Sequence, residues 1–155
     1  MRLSTKGRYG LRAVLDLALH SRDDEAVALS GIAERQSISI SYLEQLIAKL
    51  KRAGIVESTR GARGGYVLTR PAEEISVGDI LRALEGDLNP VDCAELIGGP
   101  SCHASDVCVT KYVWKRISDS INEVVDNLML SELVEESREV QAAAGKEKKK
   151  DNILC

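Results

Sequence analysis

The chain has 155 residues, a formal net charge of −3 and four cysteines. That length suits one domain plus an extension and can bury a real core. No apolar run is long enough to span a bilayer, and charge begins at the N-terminus where a secretory signal would carry an apolar stretch, so a cytoplasmic protein without membrane contact is expected; there, cysteines more often hold metal than form disulfides.

The net charge hides a division. Residues 1–71 carry 12 Lys/Arg against 7 Asp/Glu, net +5, and residues 72–155 carry 9 against 17, net −8. Phosphate binding follows the local field, so the basic first half admits nucleic acid where the overall charge argues against it.

In chain order, Thr5 to about Ser21 reads as a helix, with Leu11, Val14, Leu15, Ala18 and Leu19 on one face and Ser4 or Thr5 at its start. A short second helix spans roughly Leu29 to Arg35, and Gln36-Ser37-Ile38 forms a tight connection. Ser39 caps a third helix with an apolar stripe of Leu43, Leu46, Ile47 and Leu50, stopped by Gly54. This is a helix-turn-helix pattern. The outward face of the third helix carries Ser39, Ser41, Glu44, Gln45, Lys49 and Arg52, polar side chains able to reach base edges and phosphates. Glu44 can accept from cytosine N4, or it pairs with Arg35 or Lys51. Tyr9, Tyr42 and Tyr66 either contact DNA or fill the core beneath it.

Two β-branched runs, Ile55–Arg60 and Tyr66–Arg70, flank the glycine-rich stretch Gly61–Gly65, a hairpin signal. Its tip carries Arg60 and Arg63, which suit phosphate or a narrow minor groove. Helix-turn-helix followed by a basic hairpin predicts a winged helix, a mainly α fold with a small β-hairpin wing. Ser76 and Asp79 form a capping box for a helix through Ile80, Leu81 and Leu84, closed by Gly86.

Leu88 to Cys108 reads as a long loop holding Cys93, Cys102 and Cys108, spaced C-x8-C-x5-C. Spacing alone divides evenly between zinc, with His103 as a fourth ligand, and iron–sulfur chemistry. From about Val109 a long helix carries Val113, Ile117, Ile121, Val124 and Leu128 as a stripe, predicting a dimer seam or packing on the N-terminal domain. Ser131 opens a shorter helix through Leu133, Val134 and Val140. The predicted units are a winged helix over 1–71, a linking helix and cysteine loop over 72–108, a dimerisation helix and short helix over 109–143, and a disordered tail over 144–155 ending in Cys155.

The runs Met1–Tyr9, Ile38–Leu46 and Arg60–Tyr66 closely resemble the iron–sulfur cluster regulator (IscR-type) family of bacterial winged-helix repressors, and the likeness extends from Met1 to Val140. The resemblance implies a homodimeric repressor reading a double-stranded operator through Arg2, Ser39, Ser41, Tyr42, Glu44, Gln45, Arg60 and Arg63. It also implies an iron–sulfur cluster, 2Fe–2S favoured over 4Fe–4S, held by Cys93, Cys102 and Cys108. Cluster-holding members place a histidine three residues after the last cysteine, where this chain has Lys111. A lysine ammonium cannot ligate without losing its proton, so His103, Asp92, Asp106 or a residue of a second subunit stands as the candidate fourth ligand. No catalytic set is visible and an enzyme is not expected. The alternatives are a cluster-free thiol- or partner-responsive regulator of cysteine or sulfur metabolism, and a zinc-stabilised protein-interaction module.

Overall fold

The computed structural model describes residues 3–23, 25–93 and 102–151, with the side chains of 146–151 left aside. Arg2 and Cys155 lie outside the described residues. Helix α1 (Thr5–His20) begins where the Ser4 hydroxyl accepts the Lys6 N–H at 3.1 Å. Helix α2 (Leu29–Gln36) ends at Ser37, whose left-handed backbone (φ 53°) turns the chain sharply, and Ile38 N–H closes the turn on Ala33 O at 3.0 Å. Helix α3 (Ile40–Arg52) starts under the Ser39 hydroxyl, which accepts the Tyr42 N–H at 3.3 Å. Its predicted stripe of Leu43, Leu46, Ile47 and Leu50 is fully buried. The helix-turn-helix thus rests on cap, turn and apolar spacing, all local properties.

Strands β1 (Val56–Thr59) and β2 (Gly65–Leu68) pair antiparallel, Val56 opposite Leu68 and Thr59 opposite Gly65. Val27 exchanges both backbone hydrogen bonds with Tyr66 at 2.9 Å, tying the hairpin base to the segment before α2. A 3-10 turn over Ala72–Glu74 leads to α4 (Val77–Glu85), where the capping box forms as predicted: Asp79 N–H donates to the Ser76 hydroxyl at 3.0 Å and Ser76 N–H to the Asp79 carboxylate at 3.1 Å. Helix α5 (Thr110–Asn127) and helix α6 (Leu130–Asp151) follow. Their corner is pinned by Val77 N–H to Leu128 O and Leu130 N–H to Ile75 O, both 2.8 Å.

Helix α4 is apolar on two sides. Ile80 and Leu84 enter the main core with α1 and α3, while Val77 and Leu81 form a second cluster with Leu88, Ile121, Val125 and Leu128. The α5 stripe therefore divides. Ile121 and Leu128 pack inward on α4, whereas Val113 and Val124 stay open to solvent, 48% and 65% exposed. Helix α6 corrects two expectations. It starts at Leu130 and runs through Asp151, where a disordered tail is expected from residue 144. The reason is composition: Ala142–Ala144 and the Lys/Glu run are strong helix formers, and one glycine does not interrupt them.

At the end of α4, one Glu85 carboxylate oxygen receives Ser4 N–H at 2.9 Å, the Ser4 hydroxyl at 2.6 Å and Gly7 N–H at 2.9 Å. Burial works against the charged form of Glu85, but these bonds and the charge of Lys6 outweigh it and hold the carboxyl below its ordinary value. A carboxylate with a depressed folded pKa stabilises fully above the unfolded pKa, and that contribution is lost as pH falls through the folded pKa. Glu85→Gln should lower the urea midpoint at pH 7, and its deficit relative to the unmodified protein should shrink as pH drops below about 4. A deficit equal at pH 7 and pH 3.5 contradicts the charged clamp.

Candidate nucleic-acid interface and cysteine site

Ser41, Glu44 and Gln45 are exposed on the outward face of α3. Neither expected partner of Glu44 takes it: Arg35 binds Asp16, and Lys51 donates to the Ser58 hydroxyl at 2.8 Å. Glu44 makes no ion pair among the described residues and stays free to act outward. Lys49 departs from its predicted place on that face. Its ammonium donates to Leu84 O at 3.1 Å and ties α3 to α4. Tyr9, Tyr42 and Tyr66 are half-buried and pack against the main core. Tyr42 also meets Tyr9 edge-on, 6.1 Å between centroids, and its hydroxyl donates to Thr5 Oγ1 at 3.2 Å.

At the wing tip, Gly61 takes φ +113°, a conformation that L side chains rarely adopt, and Gly64 N–H closes the turn on Gly61 O at 3.0 Å. The turn leaves Arg60 and Arg63 exposed together, with no ion pair among the described residues. Two guanidinium groups on a narrow tip suit phosphate or the minor groove. Behind α3 lies a cluster that sequence reasoning missed. Asp16, only 2% exposed, is gripped by Arg35 Nη2 at 2.7 Å and by Arg35 Nε at 3.1 Å to each oxygen, and Gln36 Nε2 donates at 2.8 Å. The hydrogen bonds to Asp16 raise the Arg35 pKa above its ordinary value. The available signal was an acid set between Leu15 and Leu17 in an otherwise apolar run.

In the cysteine segment, Cys93 and Cys108 are half-buried, Cys102 is exposed, and all three are free thiols. The Cys108 thiol lies below its ordinary pKa, first because its sulfur bonds the Thr110 hydroxyl at 3.2 Å, then through the Lys111 backbone N–H, with smaller help from the Thr110 N–H and the Lys111 charge. Lys111 itself does not reach for a metal position. Its ammonium donates to Ser105 O at 2.8 Å and lies 5.3 Å from the Tyr112 ring centroid. His103, Asp92 and Asp106 are exposed, and among the described residues no three of His, Cys, Asp and Glu converge. The residues at 94–101 between Cys93 and Cys102 lie outside that description. Cys93, Cys102 and Cys108 are of a kind that binds soft metals or clusters, and among the described residues they do not converge on one point.

A helix-turn-helix followed at once by an arginine-tipped hairpin defines a winged-helix DNA-binding regulator. Residues 3–136 match the Rrf2 model, described as an iron-dependent transcriptional regulator, and the chain belongs to the Rrf2 family of transcriptional regulators, of the IscR type. It is 45% identical over 134 residues to the HTH-type transcriptional regulator IscR of Pectobacterium atrosepticum, covering 86% of this chain and 79% of that one. Among solved structures, IscR of T. potens matches with a TM-score of 0.72 and 44% identity, over 91% of both chains. CymR of B. subtilis, described as the global cysteine regulator, matches with a TM-score of 0.71 and 38% identity, over 88% of this chain and 98% of that one. These relatives are regulators of transcription. No helix among the described residues is long and apolar enough to cross a membrane.

The depressed Cys108 thiol makes a chemical prediction. A lower pKa raises the thiolate fraction at neutral pH, and the thiolate is the nucleophile. Alkylation of metal-free protein by iodoacetamide at pH 7, followed by peptide mass spectrometry, should be severalfold slower at Cys108 in Thr110→Val than in the unmodified chain. Equal rates remove Thr110 as the cause.

Proposed function

We propose that this chain is a homodimeric, cytoplasmic repressor whose operator binding responds to an iron–sulfur cluster held by Cys93, Cys102 and Cys108. The observation that carries this reading is the position of the three free thiols, between a DNA-reading head and a helix with an unpaired apolar face. Helix α3 enters the major groove with Ser41, Glu44 and Gln45 toward base edges. Ser39 and Tyr42 hold the first turn there, Arg60 and Arg63 meet the adjacent backbone or minor groove, and Arg2 is assigned to DNA on the family resemblance alone. The exposed Tyr112, Val113, Ile117 and Val124 pair with the same face of a second copy, which fits two-fold reading of two half-sites.

A 2Fe–2S group suits three thiolates and one other donor, and when bound it would supply a redox- and supply-sensitive charge at the start of α5. The chain's own part is to offer thiolates and to join them to α5. Anaerobic reconstitution with iron and sulfide should give a visible absorption band that a Cys93/Cys102/Cys108→Ser variant lacks. A colourless protein that retains zinc instead sinks the cluster. The depressed Cys108 thiol favours a second reading, a cluster-free thiol-responsive regulator; a colourless, metal-free protein whose operator binding changes on oxidation would select it.

The wing makes its own prediction. Each neutralised phosphate adds about 0.9 to the slope of log affinity against log salt. With a duplex selected by the unmodified protein from a random pool, Arg60→Ala should weaken binding and reduce that slope by about one. An unchanged salt titration counts against the wing assignment.

A further inference from the structure

The acid buried in the core has a geometric role that burial alone does not explain. A buried ion pair is often no more stabilising than apolar residues of the same volume. Yet Asp16 is satisfied by Arg35 through two nitrogens and by Gln36 at 2.8 Å. Arg35 and Gln36 are the last two residues of α2, Ser37 is the left-handed turn, and Ser39 caps α3. Asp16 therefore grips the chain where it bends into the reading helix.

The grip continues outward. With its amide nitrogen on Asp16, Gln36 presents its oxygen to Arg12 Nε at 3.1 Å, and Arg12 Nη2 reaches the Gln36 carbonyl at 3.3 Å. This fork sets the Arg12 guanidinium 5.5 Å from the Tyr9 ring centroid, within cation–π range. Tyr9 in turn stands edge-on to Tyr42 at an interplanar angle of 87°. Tyr42 sits in the first turn of α3, beside Ser41, Glu44 and Gln45. A continuous run of contacts joins the buried acid to the reading face.

We propose that Asp16, Gln36 and Arg12 are positioning residues that fix the first turn of α3, so that this chain's discrimination between DNA sequences depends on the Asp16–Gln36–Arg12–Tyr9–Tyr42 run. The inference rests on α3 being the helix that reads bases. A simpler role for Arg12 competes with it. The side chain is exposed, and a phosphate contact would need only its charge.

The two roles separate in full-length variants. Arg12→Lys keeps the charge and removes the fork, and Gln36→Met keeps the bulk and removes both hydrogen-bonding ends. Both side chains reach the surface, and melting curves confirm folded protein at the assay temperature. Affinity is measured for a duplex selected by the unmodified protein and for a scrambled duplex of the same composition. Each variant should lower the selected-to-scrambled ratio on the order of tenfold. The double variant should lose about as much as one alone, because the residues act in series. An unchanged ratio in Arg12→Lys, or equal weakening on both duplexes, overturns the proposal. A ratio near one for the unmodified protein overturns the base-reading assignment of α3 instead.

Discussion

Two close helix contacts, each made at a glycine, hold α4 between α1 and α5. On one side a side-chain carbon at Gly10 of α1 would collide with Leu84, and one at Gly7 would meet the Glu85 carboxylate at 2.6 Å. On the other, a carbon at Gly78 would collide with the Asp126 carboxylate of α5. Arg82 then bridges α4 to α5 by bonding Asp126 at 2.7 Å and 2.9 Å. Packed interiors transmit strain and do not absorb it. The reading head, built on α1, and the exposed face of α5 are therefore fixed relative to each other through a nine-residue helix.

The cysteine segment leaves from the end of this joint. Gly86 turns the chain out of α4 with φ +92°, Leu88 returns to the second core cluster, and Asn89 accepts the buried Ser118 hydroxyl of α5 at 2.9 Å. Cys93 thus follows four residues after Asn89, whose side chain is bonded to α5, and eight after Glu85, which holds the start of α1. Helix α4 is the element that packs against both α1 and α5.

Much of this was legible in the residues because the information is local. Ser39, Ser37 and Gly54 bound α3, Ser76 and Asp79 start α4, and the glycines before Tyr66 mark the wing; each acts within a few positions of itself. What was not legible is the choice of distant partners. Glu85 binds Ser4 across 81 positions and Lys49 binds Leu84 across 35, and no periodicity records either bond. Apolar spacing identified the α5 stripe correctly but not its division, since a period states which residues share a face and not how many surfaces that face meets. The Lys-rich end was misread for a related reason. High charge argues against burial, yet Ala, Lys and Glu are all residues that favour helix by intrinsic propensity.

Lys111 acts on its surroundings by hydrogen bonding and charge. The three cysteines lie in the half of the chain that carries net −8. A histidine at position 111 would add a donor without lasting charge. A lysine there removes the donor, fastens the 103–107 turn through Ser105 O, and adds a cation close to Cys108. The hydrogen bond from Thr110 is the larger influence on that thiol, and Lys111 reinforces it through its N–H and its charge. Both contributions favour the thiolate form of Cys108.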